Sequence, residues 1–506
     1  MACHNDGFST DPEPEGISTI SGSIDHGETQ TRSKVKKVDD DDDESFWMGW
    51  YQQMRSQFGL HDNGLIMAAT ILFILAPALL LPSLLVSSAP LFLAIPPLAW
   101  VSGHLCELVG LPPTPMMLVV GMAFRALGWF EPNPLWRRFT YISRYIAVAT
   151  VLTKSGLALA DFPNIFLVLI PCTAEAAGIA LLSYFFLGYP WLWGLAYGYA
   201  VSTASSSVNA EKLAQLKAEG YGPKEIYQLI FPASTVENIY SITGFAVCVA
   251  MIFSEGASIP VYIQRFPVAV ASGLLFAFIW GSIIAVFPHR NHSHVVPLRC
   301  SLLVLGSVCV YLGAKQYDVS AGGPLGALAT GCVSAYFWRS QGWTETNNPV
   351  LSIYNVMWNL LEAVLFGFVG AEVDVHGTTL QDLLFCGGFL VITISIRLTC
   401  FAACVALKGK FNWKEVFLGT LVWLPKATVL AALSPQVIDM CRKVFGNDTD
   451  ETSDSFRRSK FIILSAVFDM IITAPVSYII VNSQAPKLLR KPKVENIAES
   501  KSLVRV

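Results

Sequence analysis

The chain has 506 residues, of which 53% are hydrophobic and only 14% charged, with a mean hydropathy of +0.50. A soluble protein carries about 25% charged residues, so the composition argues against a soluble enzyme. The net charge of −3 is too small to attract nucleic acid, and the 8 His and 11 Cys form no CxxC pair or zinc spacing, so neither a resident metal nor a cofactor is expected.

Residues 1–62 are polar, with a basic cluster (Arg32, Lys34, Lys36, Lys37) just before an acidic run from Asp39 to Glu44. No apolar core opens the sequence as in a signal peptide, and the acidic start is unlike an Arg-rich mitochondrial presequence. The segment is expected to be a disordered cytosolic tail of a protein in the plasma membrane or an endomembrane. From 63 to 485 the apolar runs hardly stop, and 486–506 form a second, basic cytosolic tail.

At about 20 residues per bilayer crossing, the apolar region divides into roughly fourteen spans. These are 64–88, 91–109, 113–129, 139–158, 164–187, 190–213, 225–254, 264–287, 297–314, 320–338, 350–370, 381–405, 414–435 and 459–482. The fold class is therefore an all-α polytopic membrane protein. With the N-terminus inside, the cytosolic connections hold the tail cluster, Lys217, Lys224, Arg290, Arg339, Lys408 and Lys410. The outer ones hold Arg137, Arg138, Lys315, Arg442, Lys443, Arg457 and Arg458, a modest positive-inside bias. The same parity places the sequon Asn447-Asp448-Thr449 outside, where Asn447 is expected to be glycosylated, and Asn291-His292-Ser293 inside.

Ionisable residues at membrane depth mark a transport path or an internal pair. Glu237 lies about 18 Å along a helix starting near Glu225, at 1.5 Å per residue. Glu175, Glu362 and Arg397 sit similarly deep, Lys426 follows Pro425 in mid-span, and Asp469 lies in the last span. Arg144 and Lys154 share the fourth span but are too far apart for an i,i+4 pair.

The order of these residues carries more than their number. Span five holds Glu175, span six is interrupted by the polar run 202–207, and span seven holds Glu237-Asn238. Span twelve holds Arg397, span thirteen is interrupted at Trp423-Leu424-Pro425-Lys426, and span fourteen holds Asp469. Taken singly, Pro425 is an ordinary kink and the serine run is helix-packing glue. Two interrupted helices at corresponding places point instead to an inverted-repeat transporter whose site lies where they meet.

Four segments carry a more specific signal: ENIYSITGF at 237–245, WLPKATV at 423–429, LFGFVGAEV at 365–373 and PWLWG at 190–194. From about residue 91 to 485 the chain resembles the animal NHA-type sodium/proton exchangers of the cation/proton antiporter superfamily, solute carrier family 9 subfamily B. The resemblance implies a homodimer with a dimerisation domain and a mobile six-helix core that carries its site by an elevator motion. It further implies that Glu175 and Arg397 form a buried structural ion pair and that Lys426 lies near the ion-binding acids. The family has an Asp-Asp pair where this chain has Glu237-Asn238. It has Ser-Pro at Ser202-Thr203, Gln-Pro at Glu362-Ala363, and a small polar residue at Asp469.

A cation/proton exchanger needs a carboxylate that takes either a proton or a hard cation, never both at once, and hard cations want oxygen ligands. The expected set is Glu237 as the exchanging group, the Asn238 amide oxygen and the hydroxyls of Thr203 and Ser205, with Lys426 and Glu362 nearby. The transported ions would be Na⁺ or Li⁺ against H⁺. Two alternatives stay open: a homologue that no longer transports and acts as a regulatory or scaffolding subunit, and an anion carrier using Arg397 and Lys426.

Overall fold

The computed structural model describes residues 89–489, except for 131–133, 160–164, 210–211, 214, 217–218, 222–223, 254–258, 293, 318, 345–346, 408–411 and 446–452. The first expected span, Asn447, nearly all of both expected tails and the segment 63–88 lie outside the described residues.

The described residues form α-helices and no strand. In chain order they are α1 (Ala89–Leu108), α2 (Thr114–Ala126), α3 (Pro134–Ala158), α4 (Ile165–Leu187), α5 (Trp191–Val201), α6 (Lys224–Ile252) and α7 (Ile259–Val286). There follow α8 (Val295–Gln316), α9 (Gly322–Ser340), α10 (Pro349–Ala371), α11 (Leu380–Ala406), α12 (Trp413–Val422), α13 (Thr428–Phe445) and α14 (Asp454–Leu488). Each expected span from the second to the fourteenth coincides with a helix, apart from the two expected interruptions. Span six is α5, a non-helical stretch and a 3₁₀ turn at Ser206–Asn209, and span thirteen is α12 and α13 separated by residues 423–427. The last helix takes in the first three residues of the expected C-terminal tail, ending at Leu488.

Local chemistry fixes several ends. Asn348 caps α10 by accepting from the amides of Val350 and Leu351, and Thr379 with Asp382 closes a capping box at the start of α11. Gly188 stops α4 in a left-handed conformation, φ 64°, that a side chain would resist.

Among the described residues, seven helices are long and apolar enough to cross a bilayer by themselves. Large apolar side chains stand exposed on α4 (Phe166, Phe185), α7 (Leu275, Phe278) and α11 (Leu384, Val391), as expected of surfaces that meet lipid rather than water. The chain is a multi-pass membrane protein.

The helices pack as two neighbouring groups. One is α4, α5, α6, α11, α12–α13 and α14; the other is α1–α3 with α7–α10. Within the first group α4 and α5 approach closely at Gly198, where an added Cβ would stand 2.3 Å from the Ala176 carbonyl oxygen. That close approach brings the α5 terminus, and so the first interruption, against the charged face of α4.

Candidate functional site

The two interruptions meet at the backbone. The Ser205 amide in the first donates to the Pro425 carbonyl in the second, at 2.9 Å. A chain that leaves the helix frees amides and carbonyls that must find partners inside the membrane, and side chains of the surrounding helices supply them. Arg397 on α11 donates to the Ser202 carbonyl, Ser241 on α6 to the Tyr199 carbonyl, and Ser234 on α6 to the Ala204 carbonyl. On the other side Thr473 accepts from the Lys426 amide at 3.0 Å, and Ser477 donates to the Leu421 carbonyl at 3.0 Å. The Nδ2 of Asn209, just past the first interruption, donates to Ser477 at 2.8 Å, so one hydroxyl of α14 ties both breaks.

Four charges gather at this crossing, each with essentially no exposure: Glu175, Glu237, Arg397 and Lys426. Nη1 of Arg397 donates to Glu175, and its Nη2 to Oε1 of Glu237 at 2.5 Å. Nζ of Lys426 reaches both oxygens of Glu175, at 2.8 and 2.9 Å, while the Trp423 indole donates to Oε2 of Glu237 at 2.6 Å. Arg397 is thus shared by two carboxylates, where the sequence reading gave it Glu175 alone.

Glu237 and Asn238 do not share one pocket. Consecutive residues of a helix point about 100° apart at 3.6 residues per turn, so Glu237 faces the charge cluster and Asn238 turns away from it. Asn238 lines a separate cavity of about 70 Å³ between the crossing and α3, together with Ser155, Ser205, Ser234, Thr235 and Thr428. The Asn238 Oδ1 has no hydrogen-bond partner among the described residues. Of the expected oxygen ligands, Asn238 and Ser205 are therefore brought together, whereas both Glu237 oxygens are engaged elsewhere and the Thr203 hydroxyl is turned back onto the Ala200 carbonyl at 3.1 Å. Glu362 on α10 lies within electrostatic range of Lys154 on α3 and does not line this cavity.

The sequence reading missed two features. Arg144, left without a role, bonds Asp439 of α13 at 2.6 Å, both side chains largely buried, and so joins the two helix groups. Trp423 was noted only as part of an interruption, yet it holds Glu237. A tryptophan at membrane depth needs a partner for its indole N–H, and the deep carboxylate Glu237, in the span after the matching interruption, was the available signal.

Matched interrupted helices crossing over buried charges, in an all-helical membrane protein, define the class of inverted-repeat secondary transporters. The chain belongs to the sodium/hydrogen exchanger family, whose transmembrane-domain model matches residues 93–439, more than half of its length. It is a transporter and not an enzyme. It is 29% identical over 405 residues to human sodium/hydrogen exchanger 9B2, covering 78% of this chain and 73% of that one. With the same exchanger of Xenopus tropicalis the identity is 27% over 399 residues, covering 76% and 71%. Human sodium/hydrogen exchanger 9B1 is 26% identical over 390 residues, covering 75% and 73%. The sodium proton antiporter MjNhaP1 of Methanocaldococcus jannaschii superposes with a TM-score of 0.63 at 15% identity, covering 78% of this chain and 99% of that one, and shares the fold.

Proposed function

We propose that this protein exchanges a monovalent cation, Na⁺ or Li⁺, for protons across its membrane. The observation that carries the reading is the cavity at the crossing of the two broken helices, lined by Ser205 and by Asn238, whose Oδ1 has no hydrogen-bond partner among the described residues. Neutral oxygens of this kind suit a hard cation stripped of part of its water. Glu175 and Arg397 serve to hold the two interruptions in register. The relatives' names, sodium/hydrogen exchangers, support this substrate class. Following the family resemblance, the working unit is a homodimer in which the six-helix group moves against the other.

Purified protein in liposomes, given a pH jump in the presence of Na⁺, Li⁺ or K⁺, tests the reading. Cation-dependent collapse of the proton gradient is expected with Na⁺ or Li⁺, and exchange of one proton per cation should leave the membrane potential unchanged. Replacing Asn238 by Asp puts a carboxylate into the cavity and should tighten cation binding. Orientation is tested separately: removing the sequon at Asn447 should abolish glycosylation, and removing that at Asn291 should not.

One observation favours a second reading, a subunit that no longer transports. Both oxygens of Glu237 are already bonded, and no carboxylate lines the cavity. Under that reading wild type is silent in liposomes, and only the Glu237→Asp, Asn238→Asp double variant exchanges cations.

A further inference from the structure

The charges at the crossing do not balance. Glu175 and Glu237 are matched by Arg397 and Lys426, each joined by a direct bond. A fifth ionisable residue, Asp469 on α14, is 2% exposed, and its Oδ1 has no hydrogen-bond partner among the described residues. When Asp469 is ionised the buried group carries one negative charge in excess.

Its place on the helix shows where it faces. Residues four apart lie on one face of an α-helix, and Ser465, Asp469, Thr473 and Ser477 form such a stripe. Three of the four reach the crossing elements: Ser465 bonds the Tyr197 hydroxyl of α5, Thr473 accepts from the Lys426 amide, and Ser477 donates to the Leu421 carbonyl. Asp469 sits between Ser465 and Thr473 on the same face. The titratable groups close enough to act on it are Lys426 and Glu175 in the cluster, Tyr197 on α5 and Cys386 on α11. Lys426 is the nearest cation among them, but its ammonium is already committed to Glu175.

A buried carboxylate without a partner is relieved either by a proton or by a cation close by. We propose that Asp469 is the proton-carrying site of this protein, its proton leaving as a monovalent cation enters the neighbouring crossing. This deepens the exchange reading above and rests on it for the cation. In the step, the O–H bond of the Asp469 carboxyl breaks, H⁺ departs to water, and the carboxylate charge offsets the cation that has entered. The buried group then carries the same total charge before and after, so neither loaded form faces a large charging barrier in the membrane. Glu237 stays ionised and bonded throughout, a different assignment from the one its sequence position suggested.

Two measurements on the full-length protein in detergent test this. The first is infrared difference spectroscopy of the carboxyl C=O stretch during a pH titration. In a Glu362→Gln background, which removes the other deep carboxyl outside the charge cluster, the protein should show a buried protonated carboxyl band that disappears at alkaline pH; adding Asp469→Asn should abolish it, Asp469→Glu should keep it at a shifted frequency, and Glu237→Gln should leave it in place. The second is proton release on adding Na⁺ or Li⁺ in weak buffer. Wild type should release about one proton per cation bound, by linkage of the two equilibria, and Asp469→Asn should release none. A folded Asp469→Asn protein that keeps the band in that background, or releases protons as wild type does, overturns the proposal. A band that titrates as described, with no cation flux in liposomes, sinks the exchange reading while supporting Asp469 as a proton site.

Discussion

Apart from the Ser205 amide's bond to the Pro425 carbonyl, the two interruptions, in equivalent places of the two halves, do opposite work. The first, at residues 202–205, is short and uncharged, and it receives: its carbonyls and those just before it take bonds from Arg397, Ser241 and Ser234. The second, at residues 423–427, gives: the Trp423 indole goes to Glu237 and the Lys426 ammonium to Glu175. Both carboxylates belong to helices flanking the first interruption, so the donors of one half are spent on the acids of the other. The repeat is therefore symmetric in backbone and complementary in chemistry. Each half is incomplete alone, because the paired charges of its crossing have their partners in the other half.

If this division of labour is right, removing a shared donor should do more harm than removing a local one. The largest effect is expected for Arg397→Ala, which strips two carboxylates and the Ser202 carbonyl of one partner at once. Breaking a buried pair from one side costs about 3–5 kcal/mol, and a fall in thermal unfolding temperature measured in detergent should report it. Coupling sharpens the test. In a double-mutant cycle Glu175→Gln with Arg397→Ala should cost less than the sum of the single changes, and strict additivity would mean that the two side chains do not act on each other. Next comes Trp423→Phe, which keeps the ring and removes only the indole N–H. Leaving Oε2 of Glu237 unpaired should cost about 1–3 kcal/mol, while Trp423→Tyr, if its hydroxyl reaches, should recover part of the loss. The smallest effect is expected for Ser477→Ala, where neutral bonds to Leu421 and Asn209 are lost, at about 1 kcal/mol. A Ser477 variant as damaging as the Arg397 one would break the comparison, since a local neutral tie would then match the shared charge.

Much of the architecture was legible because apolar runs of bilayer length leave few other solutions. The positions of both interruptions were equally legible, since a proline beside a lysine and a run of small polar residues, each an ordinary feature alone, stand at corresponding places in the two halves. Facing was not. Glu237 and Asn238 are neighbours in sequence, and only the rotation of α6 sends one to the charge cluster and the other to the cavity. The partnership of Arg397 was half readable: depth said that it must be paired, but nothing in the sequence says that one guanidinium can span Glu175 and Glu237. Arg144 was opaque for the same reason, its partner Asp439 lying on a helix nearly three hundred residues away.

That last contact has a consequence for how the protein would behave from its two sides. Asp439 and Arg442, near the end of α13, are held by Arg144 of α3 at 2.6 Å and by Glu372, at the end of α10, at 3.4 Å. Both grips cross from the six-helix group to its neighbours, and the proposed movement of one group against the other would have to release them together. Whatever stabilisation they give belongs to this arrangement alone, so they bias the resting population toward it. Under the proposed exchange, an ion approaching from the face that this arrangement does not serve would meet a competent site only in the minority population, and its apparent dissociation constant would rise by the inverse of that fraction. The cation affinities measured from the two faces should therefore differ, and Arg144→Ala should bring them closer together by weakening the bias rather than by altering the site.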